Sequence, residues 1–285
     1  MPVCAGCQRP IWGRYVQAQG TTWHPEHFVC AVCQQPIHAA FVTNAWGDTY
    51  CAQHAATYSL CYSCQRLICP ALTNGGVFYG DGRTMCNRCR QTAVDQVAQG
   101  LPLLTHVRQQ LAALGLDLGQ APITLGLTDQ HELSAHAPTG ADSAGQTRVQ
   151  TWLQNGHVVR QTVEEMRILR GLPAEHFAAI AAHELGHVWL VLHGLPDLPP
   201  LIAEGLCELC AALWLDQQAT EEATFRLRLM AANPDPVYGA GYRLARQSMA
   251  GRRLPELVDY LREHRRFPPA VASGNGSGPG MSHTT

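Results

Sequence analysis

Hydrophobic and polar positions along this chain fall into three regimes. In the first, short alternating runs such as "WGRYVQAQGTTW", "AAFVTNAWGDTY" and "GGVFYGDGRTM" surround Gly-containing turns and predict three small hairpins. In the second, from Thr92 to Gly115, the apolar positions of "AVDQVAQGLPLLTHVRQQLAALG" have helical spacing, with a break expected at Gly100-Leu101-Pro102. The stretch "APITLGLTD" (121–129) reads as a strand and "HELSAHAPTGADSAG" (131–145) as a loop. Alternation returns in "TRVQTWLQ" and "HVVRQTVEEMRILRG", with Asn155-Gly156 as the tight turn between them. The third regime is apolar almost throughout. Pro173 opens "AEHFAAIAAHELGHVWLVLHG", a helix that Gly194 would cap, and a second helix is expected from near Pro200 across "LIAEGLCELCAALWL". Hairpins first, then a small mixed sheet leading into long apolar helices, predict an α+β multidomain chain. The end, "PPAVASGNGSGPGMSHTT", is rich in Pro, Gly and Ser and reads as a disordered tail over 267–285.

Composition removes some function classes. With 46% hydrophobic and 15% charged residues in 285, the chain is ordinary globular material. Its formal net charge of −2 gives no electrostatic case for binding nucleic acid. All the basic residues are arginine; there is no lysine. The most apolar stretch is interrupted by His183, Glu184 and His187, so no membrane span is expected, and no signal segment is visible before "MPVCAGC". The expected location is cytoplasmic, where paired cysteines bind metal more often than they form disulfides.

The cysteines change the picture most. "CAGCQRPI" (4–11), "CAVCQQPI" (30–37) and "CYSCQRLI" (61–68) are three copies of one motif. Each precedes one of the predicted hairpins, and each hairpin ends in a second ligand pair: His24 and His27, Cys51 and His54, Cys86 and Cys89. The intervals between the pairs are 16, 17 and 21 residues. Two residues between ligands let both side chains turn onto one ion, and the hairpin brings the second pair across to complete a tetrahedron. Three structural zinc sites are therefore expected: Cys4, Cys7, His24, His27; Cys30, Cys33, Cys51, His54; and Cys61, Cys64, Cys86, Cys89. Disulfides are disfavoured, because histidines stand where cysteines would be needed. The first two modules abut, and "WHPEHFVCAVC" resembles the centre of a LIM domain, giving a LIM unit over 1–57 and a LIM-like half over 58–91. His27 departs from that pattern, where cysteine is usual. Cys69, at the repeat position of Trp12 and His38, is expected as a buried structural thiol. Such modules have no open coordination position and serve folding and protein–protein binding.

The long helix carries different chemistry. His183 and His187, four residues apart, project from one face toward one point, and Glu184 lies one residue round, placed to accept a proton from a water at a metal. Five such letters occur by chance, but three ionisable groups between "AAIAA" and "VWLVL" would be costly to bury without a role. The next helix supplies a third ligand in Glu204, 17 residues beyond His187. Glu208, one turn on, would accept a hydrogen bond from a ligating imidazole; the alternative is Glu208 as the ligand itself. Cys207 and Cys210 have metal-like spacing but are expected as core thiols.

Cysteine modules followed by "ILRGLP", "AHELGHVWLVLHGLPDL", "AEGLCELCAALWL" and "PVYGAGYR" resemble the DA-one family of plant organ-size regulators, LIM-containing zinc peptidases with bacterial relatives. The resemblance implies a gluzincin-like metallopeptidase domain over 92–266, a catalytic zinc at His183, His187 and Glu204, and endopeptidase action on proteins. A bacterial origin is expected. So is the absence of the ubiquitin-interacting segments and ubiquitin control of the plant members, because Cys4 lies close to the start and lysine is missing. In this reading Glu184 is the general base and Tyr238 the candidate donor to the oxyanion, with Tyr242 and His264 as alternatives. The strand "VEEMRILRG" is expected to lend an edge to an extended substrate. Protein or peptide substrates, a protein partner for the LIM modules, and no nucleic acid or membrane complete the expectation. The zinc modules are expected to select substrates and to cover part of the cleft, with residues from Thr92 onward folding alone. The competing readings are a LIM zinc adaptor without activity and a zinc hydrolase of small molecules.

Overall fold

The structure is a computed structural model that describes all residues except 19, 137–143, 156, 196 and 270–285. Each cysteine motif folds into the same knuckle. The glutamine that follows the second cysteine takes a left-handed backbone: φ is 60° at Gln8, 60° at Gln34 and 57° at Gln65. Its amide then closes onto the carbonyl of the first cysteine, at 2.8, 2.8 and 2.9 Å. A non-glycine residue there costs about 1–2 kcal/mol, which the closed turn offsets. The hairpins follow as expected: β1 (Val16–Ala18) with β2 (Thr21–Trp23), β3 (Phe41–Thr43) with β4 (Thr49–Cys51), and β5 (Gly76–Phe78) with β6 (Thr84–Cys86). Short helices α1 (Ala52–Thr57), α2 (Pro70–Thr73) and α3 (Asn87–Arg90) punctuate them. All twelve cysteines are unpaired thiols.

Strand β7 (Ala93–Val94) leads into α4 (Val97–Ala113), β8 (Leu125–Thr128) and α5 (Gln130–His136). Two expectations change here. Helix α4 runs unbroken through Pro102, forfeiting one backbone bond to Ala98, because tertiary contact holds it. Val107 and Leu111 are fully buried, and a Cβ on Gly100 would meet Phe177 at 2.8 Å and Leu125 at 3.0 Å. The segment expected as loop over 131–145 begins instead as helix α5, whose Leu133 is buried; 137–143 lie outside the described residues.

Strands β9 (Gly145–Gln154) and β10 (His157–Leu169) form the long hairpin. Over Met166–Leu169, β10 also pairs in parallel with β8, so the strand order is β8-β10-β9. The expected substrate edge "VEEMRILRG" is therefore central over Met166–Leu169, and β9 is the outer strand beside the helices. A two-residue strand, β11 (Leu172–Pro173), pairs with β7 and hands the chain to α6 (Ala174–Leu192). Helices α7 (Pro200–Asp216), α8 (Glu221–Ala232), α9 (Tyr238–Met249) and α10 (Leu254–His264) complete the layer over the sheet. Among the described residues, no helix is long and apolar enough to cross a membrane.

The core is divided differently from the motif repeat. Ala18, Phe28, Cys30, Ile37 and Tyr50 of the first two modules form one small cluster with Leu67 and Cys69 of the third. Cys69 is thus a buried thiol. The rest of the third module, including Cys61, Cys64, Met85, Cys86 and Cys89, shares one core with Val94, Leu111, Phe177 and Leu206. The third module is part of the helical body, and residues from Thr92 onward would lose a wall of their own core without it. Phe267 is buried and Pro268 accepts a hydrogen bond from Ser248, so the expected tail cannot begin at 267; residues from 270 lie outside the described set.

Candidate metal centre and cleft

The three cysteine and histidine clusters close as their spacing predicts, the four ligand atoms of each lying within 4.8 Å of one another. In the first, Cys4 Sγ lies 3.5 Å from His27 Nδ1, Cys7 Sγ 3.4 Å from His24 Nδ1, and the two Nδ1 atoms are 3.3 Å apart. In the second, Cys30 Sγ is 3.3 Å from His54 Nδ1; in the third, Cys64 and Cys86 Sγ are 3.7 Å apart. A regular tetrahedron has edges about 1.63 times its centre-to-corner length, so Zn–S bonds of about 2.3 Å call for S–S edges of about 3.8 Å. The donor sets fit zinc.

A fourth constellation lies in the helical layer. Helix α6 is buried along most of its length, and its helical repeat places His183 and His187 one turn apart on the face toward α7. Their Nε2 atoms are 3.2 Å apart. Glu204 Oε2, from the first half of α7, reaches both, at 3.3 Å from His183 and 3.4 Å from His187. Zn–N and Zn–O bonds of about 2.0–2.1 Å require edges of about 3.3–3.4 Å, so this triangle has the dimensions of one face of a zinc tetrahedron. Glu204 Oε2 is buried and, among the described residues, has no hydrogen-bond partner, so it is open to a cation.

The surroundings of the triangle are ordered by charge. His183 Nδ1 faces Glu208 Oε1 at 3.2 Å, so Glu208 sits behind the imidazole rather than in the triangle. Burial alone would lower the pKa of His183, but the adjacent carboxylates of Glu204 and Glu208 outweigh that and hold it well above its usual value. Burial would raise Glu204; the two imidazoles overcome it and hold the carboxyl well below the usual range. Cys207 also comes close, its Sγ within 4.8 Å of a nitrogen of each histidine. It is fully buried, and burial together with the Glu204 charge pushes its thiol well up, so it remains a neutral packing group while Glu204 makes the tighter triangle. Cys210, equally buried, is pushed up to about 12 by burial.

Glu184 is 4% exposed and does not join the triangle. Thr147, on β9, donates from Oγ1 to Glu184 Oε2 at 2.7 Å and contacts its carbonyl oxygen at 3.1 Å. Nothing in the local sequence marks Thr147 for this task. Tyr238 opens α9 with its ring stacked near His183, centroids 6.3 Å apart, and burial followed by the nearby carboxylates pushes its phenol up. The backbone amides of Val237 and Tyr238 both bond Asp235 Oδ1 at 2.8 Å, which fixes that turn. Neither alternative to Tyr238 is at the site. Tyr242 is buried away from the cleft, and His264 stacks on Tyr260 at 4.0 Å.

His183, Glu184, His187, Glu204, Thr147 and Tyr238 line one cavity of about 950 Å³. Gly145, Gln146 and Thr147 of β9 form one side, and α7 and α8 supply apolar lining through Ala211, Leu215 and Met230. Tyr62, Ser63 and Gln65 of the third cysteine module also face it, a contribution the linear motif does not reveal.

Residues 95–232 match the family model described as DA1-like, Protein DA1, and residues 4–59 match the LIM domain model. Protein DA1-related 1 of Arabidopsis thaliana is 23% identical over 93% of this chain and 66% of its own length. Protein DA1 of the same plant is 25% identical over 93% of this chain and 63% of its own length. The LIM domain-containing protein HDR3 of Oryza sativa subsp. japonica is 25% identical over 76% of this chain and 56% of its own length. The chain thus spans two thirds or less of the length of these relatives.

Proposed function

We propose that this DA1-like, LIM-domain protein is a zinc-dependent endopeptidase of the gluzincin type, with its catalytic ion held by His183, His187 and Glu204. The observation that carries the reading is the triangle of donors at 3.2–3.4 Å, closed by a buried and otherwise unpartnered carboxylate oxygen. Zinc bound there would supply a Lewis acid and a water of lowered pKa. The chain's own residues do the rest. Glu184, adjacent to the ligands but not among them, is positioned to take a proton at one carboxylate oxygen while Thr147 holds the other by hydrogen bond. Glu208 fixes the His183 ring so that Nε2 faces the metal position. Tyr238, whose phenol keeps its hydrogen, serves as a donor to developing oxyanion charge. The outer edge of β9 offers backbone groups to an extended peptide, the role expected earlier of β10. The same reading assigns three structural zinc ions to the cysteine clusters and a protein partner to the LIM modules, whose Trp12 is 80% exposed.

The test uses the intact chain loaded with zinc and a library of unstructured peptides. The expected result is internal cleavage by the parent and its near-complete loss in Glu184→Gln, with metal content unchanged at four ions. A zinc-replete parent that cuts neither peptides nor unfolded protein would overturn the proposal.

A further inference from the structure

The third cysteine module forms part of the cleft's lining. Its knuckle, Cys61 to Gln65, places Tyr62, Ser63 and Gln65 in the same cavity wall as His176, two turns of α6 before His183. Ser63 is 2% exposed and is tied down from two helices. Arg226 of α8 donates from Nη2 to Ser63 Oγ at 2.7 Å and meets Ser63 O at 3.4 Å, and His176 Nδ1 lies 3.1 Å from the same hydroxyl. Because Oγ accepts from Arg226, its own hydrogen is available to His176 Nδ1. The Tyr62 ring stacks against His176 with centroids 6.4 Å apart.

Charge explains why an arginine is buried at this place. Four thiolates around zinc(II) leave a net charge of about −2, and all four cysteines of this cluster are buried. Such a charge needs a nearby cation. Arg226, 7% exposed, bonds the residue between two of the ligands and is paired on its other side with Glu222. The same helix lines the cleft further on through Leu229, Met230 and Ala232. Cluster, arginine and cleft wall are therefore one connected assembly.

We propose that the knuckle of the third module is a substrate-contacting wall, with Gln65 and Tyr62 touching the bound peptide and Ser63, His176 and Arg226 positioning them. Gln65 is suited to the role. Its left-handed backbone turns an exposed carboxamide outward beside the cavity, where it can both donate to and accept from the amide groups of an extended peptide. This inference rests on the peptide-cleft reading above, and the experiment separates the two.

Gln65→Ala and Tyr62→Ala are introduced into the 285-residue chain carrying Glu184→Gln, and binding is read by fluorescence anisotropy with fluorescein-labelled random-sequence peptides that the parent binds. The dissociation constant should rise about three- to tenfold for each, as expected for one lost hydrogen bond or packed ring, with zinc content unchanged in both and the thermal midpoint unchanged in Gln65→Ala. With Glu184 intact, the same substitutions should raise KM, leave kcat in place and alter the residues preferred beside the cleavage site. Arg226→Met should speed release of one zinc ion to a chelator; should that variant fail to fold, Gln65→Ala still decides. Unchanged Kd, KM and cleavage profile in both wall variants at full zinc content overturn the proposal, as does a parent that binds no peptide. A parent that binds peptides through this wall but never cuts them counts against the peptidase reading alone.

Discussion

Replacing Glu204 by glutamine tests the centre most directly, because it keeps shape and an oxygen donor while removing charge. In the structure Oε2 stands 3.3 and 3.4 Å from the two Nε2 atoms, at the third corner of a face sized for zinc. An outer partner that only orients a ligand, as Glu208 does for His183, typically contributes 10–100-fold to metal affinity. Loss of a charged direct ligand must exceed that, so Glu204→Gln should weaken this one site by more than about 100-fold, about 2.8 kcal/mol at 1.4 kcal/mol per tenfold. Glu208→Gln should fall within the 10–100-fold range and keep the ion at ordinary zinc concentrations. The assay is competition with a chromophoric chelator, together with elemental analysis after dialysis. The cysteine clusters provide an internal control, since their three ions should remain. Retention of all four ions with unchanged affinity in Glu204→Gln, together with loss of one in Cys207→Ser, would refute the assignment and make Cys207 the third ligand.

Zinc affinity at the same centre should increase with pH. The imidazole of His183 has a raised pKa in the metal-free protein, and its proton must leave before the nitrogen can bind metal. The raised value stabilises the metal-free fold below the unfolded imidazole pKa of about 6.5, and that contribution is lost as pH climbs through the folded value. The stabilisation by added zinc should therefore widen as pH rises above about 6.5, with protons released on binding; calorimetry in buffers of different ionisation heat that detects no release would contradict this. Gly186→Ala should destabilise by about 1–3 kcal/mol in urea unfolding, because its Cβ would lie 2.9 Å from Cys207 Sγ and 3.0 Å from Cys207 Cα, where α6 and α7 meet. No loss would mean the helices can slide apart freely. Removing residues 1–57 should leave a folded protein with the third cluster and the His183 centre loaded, whereas removing 1–91 should give aggregated material, as size-exclusion chromatography will show, because Val94, Phe177 and Arg226 lose buried partners. A well-folded, zinc-loaded 92–285 fragment would show that the shared core is dispensable.

Much of the chemistry here was local and therefore legible in the sequence. Two residues between cysteines force a knuckle, and three residues between histidines on a helix force a common face, whatever the rest of the chain does. The twelve cysteine-cluster ligands and the pair His183 and His187 follow from such spacing alone. Glu204 was reachable too, since an apolar helix just after the first must pack on it and can present few polar residues. What depends on which distant surfaces meet was not legible. Thr147 holds Glu184 across 37 residues, and Arg226 reaches Ser63 across 163. Neither spacing is periodic, so neither leaves a mark in the pattern. Packing against Phe177 and Leu125 carries α4 through Pro102, overriding a local signal that breaks isolated helices. Strand order is equally a property of the whole: β10 is central only because β8, some 40 residues earlier, pairs with its last turn of sequence. The repeat pattern grouped the third module with the first two, but burial divides it: Leu67 and Cys69 stay with them while its cysteine cluster and Met85 join the helices, because apolar side chains join whichever core removes them from water.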